Sequence, residues 1–215
     1  MEKFLQQFGD SLVSLNQTLP GHVTNRHQFQ PGIGPYTEEL MVKMGVEFLS
    51  KKGLLQESYY LEPDKATRSQ LGLQGYAGPA GQRATPDLVL GNRIIEFKLA
   101  RPLGDNGQLE DTWFKKCFDP HPNSYSTFID VEKLSLFHSN HDQQNQFEKW
   151  VVVIGFERQQ EIEYPLDRIF PRLFLYISNE IAGRQVIEQA AYTCELGDRH
   201  PVHQVLKLYA FRYGG

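Results

Sequence analysis

The stretch from Ala84 to Leu99 constrains the fold more than any other. Two apolar runs, Leu88-Val89-Leu90 and Ile94-Ile95, flank Gly91-Asn92, a dipeptide that readily takes the positive φ angles of a two-residue hairpin turn. A reversal there sets Leu90 opposite Arg93, Val89 opposite Ile94, Leu88 opposite Ile95 and Asp87 opposite Glu96. Side chains alternate along a strand, so Asp87, Val89, Ile94, Glu96 and Lys98 share one face. Leu88, Leu90, Ile95, Phe97 and Leu99 share the other, which reads as core.

Two carboxylates facing each other at the end of a hairpin repel unless a cation lies between them. A surface pair would splay into solvent, but these sit among apolar residues. A hard divalent ion such as Mg²⁺ suits them, because it prefers carboxylate oxygens and keeps several waters. Lys98, one side-chain repeat beyond Glu96, would lie beside that ion and could stabilise a developing negative charge or position a water.

The rest of the chain supplies a frame for this hairpin. Residues 1–20 place Phe4, Leu5, Phe8, Leu12, Val13 and Leu15 at helical spacing, and a loop follows to residue 34. Residues 35–52 read as a second helix with Pro35 in its first turn, Glu38 and Glu39 at its positive end and a buried stripe of Leu40, Met41, Met44 and Phe48. Residues 53–61 read as a strand. The polar stretch 62–85 is too long for a plain connection, and from Lys65 to Arg83 it carries no acid. Lys65, Arg68, Gln82 and Arg83 are its candidates for gripping phosphates or reading base edges.

Beyond the hairpin, Trp113, Phe114 and Phe118 surround Lys115 and Lys116, a mixture that suits base stacking or a half-buried helix. Residues 124–139 read as a helix on which Ser126, Asp130 and Lys133 recur at near-helical spacing, facing either solvent or substrate. Trp150-Val151-Val152-Val153-Ile154-Gly155-Phe156 is the nearly unbroken apolar run of a strand buried on both faces. A helical segment from Leu166 to Ile181, interrupted at Pro171, and the runs Gln189 to Leu196 and Val205 to Tyr213, which read as two strands or as one strand plus a helix, complete the chain. His200-Pro201-Val202-His203 reads as a turn.

The order helix, strand, strand, strand, helix, strand, together with Pro86-Asp87, eight residues and then Glu96-Phe97-Lys98, resembles the PD-(D/E)XK phosphodiesterases, the restriction-endonuclease-like superfamily. The resemblance implies an α/β domain with an αβββαβ core and a mixed sheet flanked by helices. It would span residues 1–215 as one domain, with an N-terminal helix and loop at 1–34, the catalytic core at 35–157 and a C-terminal extension of helix and strands at 158–215. It further implies that Asp87, Glu96 and the Phe97 carbonyl hold Mg²⁺, with Mn²⁺ as a substitute, and that Lys98 serves the attacking water or the transition state. An acid on the first core helix is expected at the same site. Glu38 is preferred over Glu39, since it lies nearer the apolar stripe.

The activity so implied is Mg²⁺-dependent endonucleolytic cleavage of DNA, of the type II restriction kind, by a homodimer that brings two sites to a duplex. A nuclease of the same fold acting on RNA, branched DNA or DNA ends is the alternative, and a non-catalytic nucleic-acid-binding subunit is another. The net charge of -4 excludes a broadly basic coat protein but not an enzyme with a confined cleft. Cys117 and Cys194 form no paired motif, which predicts a reducing, cytoplasmic setting. No apolar run reaches membrane-spanning length and no signal pattern opens the chain.

Overall fold

A computed structural model describes residues 1–23, 28–73, 85–121, 126–136, 147–159, 165–180 and 185–214. Its order of elements is α1 (Glu2–Thr18), β1 (His22–Val23), β2 (Gln28–Phe29), α2 (Glu38–Lys51), β3 (Tyr59–Leu61), α3 (Lys65–Gln70), β4 (Leu88–Leu90), β5 (Arg93–Ala100), α4 (Asp111–Phe118), α5 (Thr127–Leu136), β6 (Glu148–Glu157), α6 (Leu166–Glu180), β7 (Gln185–Glu195) and β8 (Val205–Gly214).

Six strands form one mixed sheet in the order β3-β4-β5-β6-β8-β7. Strands β3, β4 and β5 are antiparallel neighbours, β5 and β6 run parallel over eight residue pairs, and β8 lies antiparallel between β6 and β7. The parallel step needs a crossover, which α4 and α5 provide.

The two faces of the sheet bury separate apolar layers. On one, Leu88, Leu90, Ile95, Phe97, Leu99, Trp150, Val152 and Ile154 meet Phe4, Leu5, Phe8 and Leu12 of α1 and Met41, Val42, Val46 and Leu49 of α2. On the other, Val89, Ile94, Val151, Val153, Tyr209 and Phe211 meet Trp113 and Cys117 of α4, Val131 and Leu134 of α5, and Phe170, Phe174 and Ile177 of α6. The period-two alternation of β4, β5 and β6 is therefore split between two cores.

The hairpin pairs Leu88 with Ile95, Val89 with Ile94 and Leu90 with Arg93, as a two-residue turn demands. Only Gly91 has a positive φ, +58°, while Asn92 does not, so the turn follows the pattern with glycine at its first central position rather than two left-handed residues.

Other expectations need correcting. Helix α2 starts at Glu38, because Thr37 accepts the Leu40 amide as its cap, and Pro35 lies outside. Its buried face is Met41, Val42, Gly45, Val46 and Leu49, and Leu40 is 44 % exposed. The cause is Gly45, where a Cβ would lie 2.5 Å from Phe8 Cε2, so the glycine lets α1 settle against that side. The first core strand is shorter than expected, Tyr59–Leu61, and α3 occupies part of the supposed loop. Helix α6 runs through Pro171 as one element. Finally, β7 and β8 are members of the main sheet, β8 paired to β6 and β7 to β8, and not an appendage to it.

Candidate functional site

Strand β4 stops at Leu88 while β5 continues for five residues past the Leu88–Ile95 pair, which leaves amides along that edge of β5 without β4 partners. The Asp87 carboxylate takes one of them, accepting the Phe97 N–H at 2.7 Å, and its own carbonyl accepts the Glu62 N–H. Glu38, brought up by the N-terminus of α2, accepts the next free amide, that of Leu99. Two acids from separate elements thus cap the exposed edge of one strand.

Glu96 and Lys98 leave β5 toward the α4 and α5 side, where both are buried. Lys98 Nζ lies 2.8 Å from Asp130 Oδ2, and Lys133 Nζ lies 3.1 Å from Asp130 Oδ1. Asp130 is 1 % exposed, so this carboxylate holds two lysines inside the protein and fixes where Lys98 points.

Among the described residues the charges here do not balance. Glu38, Asp87, Glu96 and Asp130 share the space with Lys98 and Lys133, and Lys116 of α4 acts on Glu38 from the rim. Burial pushes Asp87 up to about 7, against the pull of the Phe97 amide and with a further push from Glu38 and Asp130. Burial and then Asp130 push Glu96 up to about 8. Burial likewise raises Glu38, although Lys98 opposes it. Burial alone would lower Lys98, but Asp130 and Glu38 outweigh it and the ammonium is held above its ordinary value. Acids with raised pKa values beside a firmly charged lysine form a cluster short of cations.

A cleft of about 370 Å³ opens onto Glu38 and Asp87, and Glu39, Glu47 and Glu62 line it with Lys43. Oxygen ligands, several acids and room for water fit a hard divalent cation, and soft or nitrogen-preferring metals would find no thiolate or imidazole among these lining residues.

Of the residues singled out from sequence, Glu38, Asp87 and Glu96 each lie within electrostatic reach of Lys98, and Glu39 is exposed. Among the described residues, the group of three ligand side chains with atoms within 4.8 Å of one another is Asp105, His200 and His203, not these acids. Phe97 turns its ring into the opposite core, 5.6 Å from Phe8, so its backbone is all it presents to this edge. Lys65 stands exposed on α3. Arg68 is turned inward, donating to the Pro63 carbonyl at 2.9 Å and to Thr85 Oγ1 at 2.7 Å, which makes it a tie for the chain that leads into Asp87 rather than a free phosphate grip. Gln82 and Arg83 lie outside the described residues. The i, i+3 spacing of Asp130 and Lys133 is compatible with a face toward solvent or toward substrate, and the packing of α5 against β5 and β6 turns them inward.

His200 and His203 do form a turn, with His200 Nδ1 accepting the amides of Val202 and His203 at 3.1 and 3.0 Å. Asp105, brought in by the loop after β5, lies 2.9 Å from His203 Nε2, and these three side chains offer ligand atoms within 4.8 Å of one another. The accepting role of His200 Nδ1 leaves that ring's proton on Nε2, where a metal would need a lone pair. His203 and Asp105 form a hydrogen-bonded tie between the Asp105 loop and the β7–β8 turn, while His200 Nε2, 3.9 Å from Asp105, His203 Nδ1 and Asp105 Oδ2 are buried without a hydrogen-bond partner among the described residues. The trio does not match the oxygen-rich setting expected for Mg²⁺.

Comparison with family models, with curated proteins and with solved structures finds no match for this chain. The functional reading therefore rests on the site itself.

Proposed function

We propose that the chain is a Mg²⁺-dependent phosphodiesterase of the restriction-endonuclease-like kind, acting on DNA. The observation that carries this reading is that Asp87, Glu96, Glu38 and Asp130 all act on the buried Lys98 of β5, in a space where, among the described residues, acids outnumber cations. The strand arrangement supports it, since a helix, three antiparallel strands, a crossover and a parallel fourth strand occur here in the order that superfamily uses.

Asp87 and Glu96 would hold the ion, with the Phe97 carbonyl as a further oxygen and Glu38 completing its surroundings. Bound there, Mg²⁺ supplies Lewis acidity toward a phosphate oxygen and a more acidic water. Lys98 stands ready to orient the attacking water or to offset charge on the phosphorane-like transition state. Asp130 positions Lys98 by a direct ion pair and shares its second oxygen with Lys133, so the ammonium remains in place when the ion leaves. Mn²⁺ would substitute for Mg²⁺, as the ligands are all oxygens.

A homodimer with two such sites would cut both strands of a duplex. Among the described residues no helix is long and apolar enough to cross a membrane, and the free thiols of Cys117 and Cys194 fit the reducing, cytoplasmic setting proposed for such an enzyme.

Incubation with supercoiled plasmid, with Mg²⁺ or with EDTA, tests this directly. Nicking or cutting in Mg²⁺ alone is expected, together with its loss in Asp87→Ala and Lys98→Ala. Full activity in Asp87→Ala would remove the assignment, and salt-sensitive binding without cleavage of any nucleic acid would replace it with a binding module.

A further inference from the structure

Between α4 and α6, on the far side of α4 from the acids, lies a groove of about 620 Å³. Leu109, Trp113, Phe114 and Phe118 line one wall, and Ile169 and Arg172 the other. Phe114 and Phe118 stack with centroids 4.5 Å apart and 17° between their planes, and Trp113 meets Phe114 edge-on at 5.7 Å. The groove opens to solvent: Phe114 is 51 % exposed and Leu109 70 %. Lys115 and Arg172 stand on its rim, with Glu110 the counterweight.

Aromatic rings below and exposed cations at the edge are complementary to a nucleotide, whose base stacks on the ring while its phosphate meets the cation. An apolar helix of a partner protein would cover the rings but bury Lys115 and Arg172 without neutralising them. The groove also adjoins the acids through α4 itself. Lys116, next to Lys115, acts on Glu38, and buried Cys117 lies within the field of Lys98. A strand with its phosphate at Asp87 and Glu96 would therefore run beside α4.

A base within an intact duplex has both faces covered by its neighbours and cannot stack on Phe114 without leaving the helix. We infer that the groove receives an unpaired nucleobase, and that the substrate carries a single-stranded tail, flap or loop beside the scissile phosphate. The substrate half of this inference rests on the phosphodiesterase reading; the affinity of the groove for an unpaired base does not.

Fluorescence anisotropy in EDTA tests it with dye-labelled oligothymidine, oligouridine, a blunt duplex and the same duplex with a thymidine tail. Tailed and single-stranded probes should bind more tightly than the blunt duplex. Phe114→Ala should weaken them about ten-fold, Phe114→Trp should restore them, and neither should alter the blunt duplex. The two single strands separate DNA from RNA as the source of the base. Unchanged binding of tailed probes by Phe114→Ala, with melting curves showing the variant folded, would overturn the inference. So would loss of concentration-dependent self-association without loss of oligonucleotide binding, since the groove would then seat a second copy. Phe114-dependent binding in a protein that cuts nothing would keep the groove and remove the phosphodiesterase, whereas Mg²⁺-dependent cutting with Phe114-independent binding would do the reverse.

Discussion

Two charge clusters lie on the same face of the sheet, one largely buried and one reaching solvent at Asp167, and they behave oppositely. At β6 and β8, Lys207 lies between Glu157, at 2.6 Å, and Asp167, while Tyr209 donates to Asp167 and the Leu166 amide donates to Glu157. Burial would raise Asp167, but the Lys207 and Tyr209 donors outweigh it and its carboxyl is held below the usual range. At β5, Asp87 and Glu96 are pushed up to about 7 and 8. The residue types are the same. What differs is that donors outweigh burial at Asp167, whereas at Asp87 and Glu96 burial outweighs the Phe97 amide and the two lysines. The first is balanced as a structural tie; the excess of acid in the second is what the proposed metal site requires.

Removing the lysines should separate the two roles most sharply. Lys98→Ala is expected to lower cleavage by about 10²–10³-fold, the usual loss when one charge-stabilising donor is removed. Lys207→Met should leave cleavage intact and cost about 3 kcal/mol of stability, the low end for breaking a buried pair because Asp167 keeps solvent access. Chemical denaturation and initial cleavage rates on the same two proteins decide this, and exchanged phenotypes would break the contrast.

The pH dependence should sharpen it. A carboxylic acid whose folded pKa is raised favours the folded state while protonated, fully so below its unfolded value near 4. For Asp87 and Glu96 that contribution is lost as pH rises from about 4 through 7 and 8. In EDTA the melting temperature should therefore fall between pH 5 and 8.5, in the range where many proteins hold level. Asp87→Asn with Glu96→Gln should flatten the slope, and Mg²⁺ should restore the wild-type protein at the alkaline end by offsetting the repulsion of the ionised carboxylates. Asp167, held low, contributes the opposite sign and only in acid.

Smaller effects concern the frame. Glu38→Gln should reduce cleavage by about ten-fold if Glu38 completes the surroundings of the ion, and Glu39→Gln should leave the rate unchanged, since that side chain is exposed. Gly91→Ala should destabilise the protein by about 1–2 kcal/mol, the cost of a left-handed residue with a Cβ, and a Cβ there would also press on Glu57. Denaturation midpoints of the variant check it.

What could be read from sequence followed from local rules. The faces of β4 and β5 came from a period of two and a glycine turn, so Asp87, Glu96 and Lys98 could be placed on one side before any coordinates. The long apolar run of β6 likewise announced a strand covered on both faces. Helix α2 was harder, because two overlapping sets of apolar residues could form its stripe, and a glycine, Gly45, decided between them by admitting Phe8. Glu38 accordingly lies at Met41-minus-three and Val42-minus-four on the buried side, closer to the site than the expected stripe implied. Asp130 and Lys133 were visible only as polar residues one helical turn apart, since the rotation of α5 is set by tertiary packing. Asp105 meets His203 across 98 residues of chain, a distance that no local pattern records.

The most direct test of the cation deficit is a calorimetric titration of the metal-free protein with Mn²⁺ at pH 8, repeated in buffers of different ionisation enthalpy to count protons released. Binding accompanied by proton release, and abolished in Asp87→Ala, is the predicted result. Absence of binding, or equal binding in Asp87→Ala, would contradict the account.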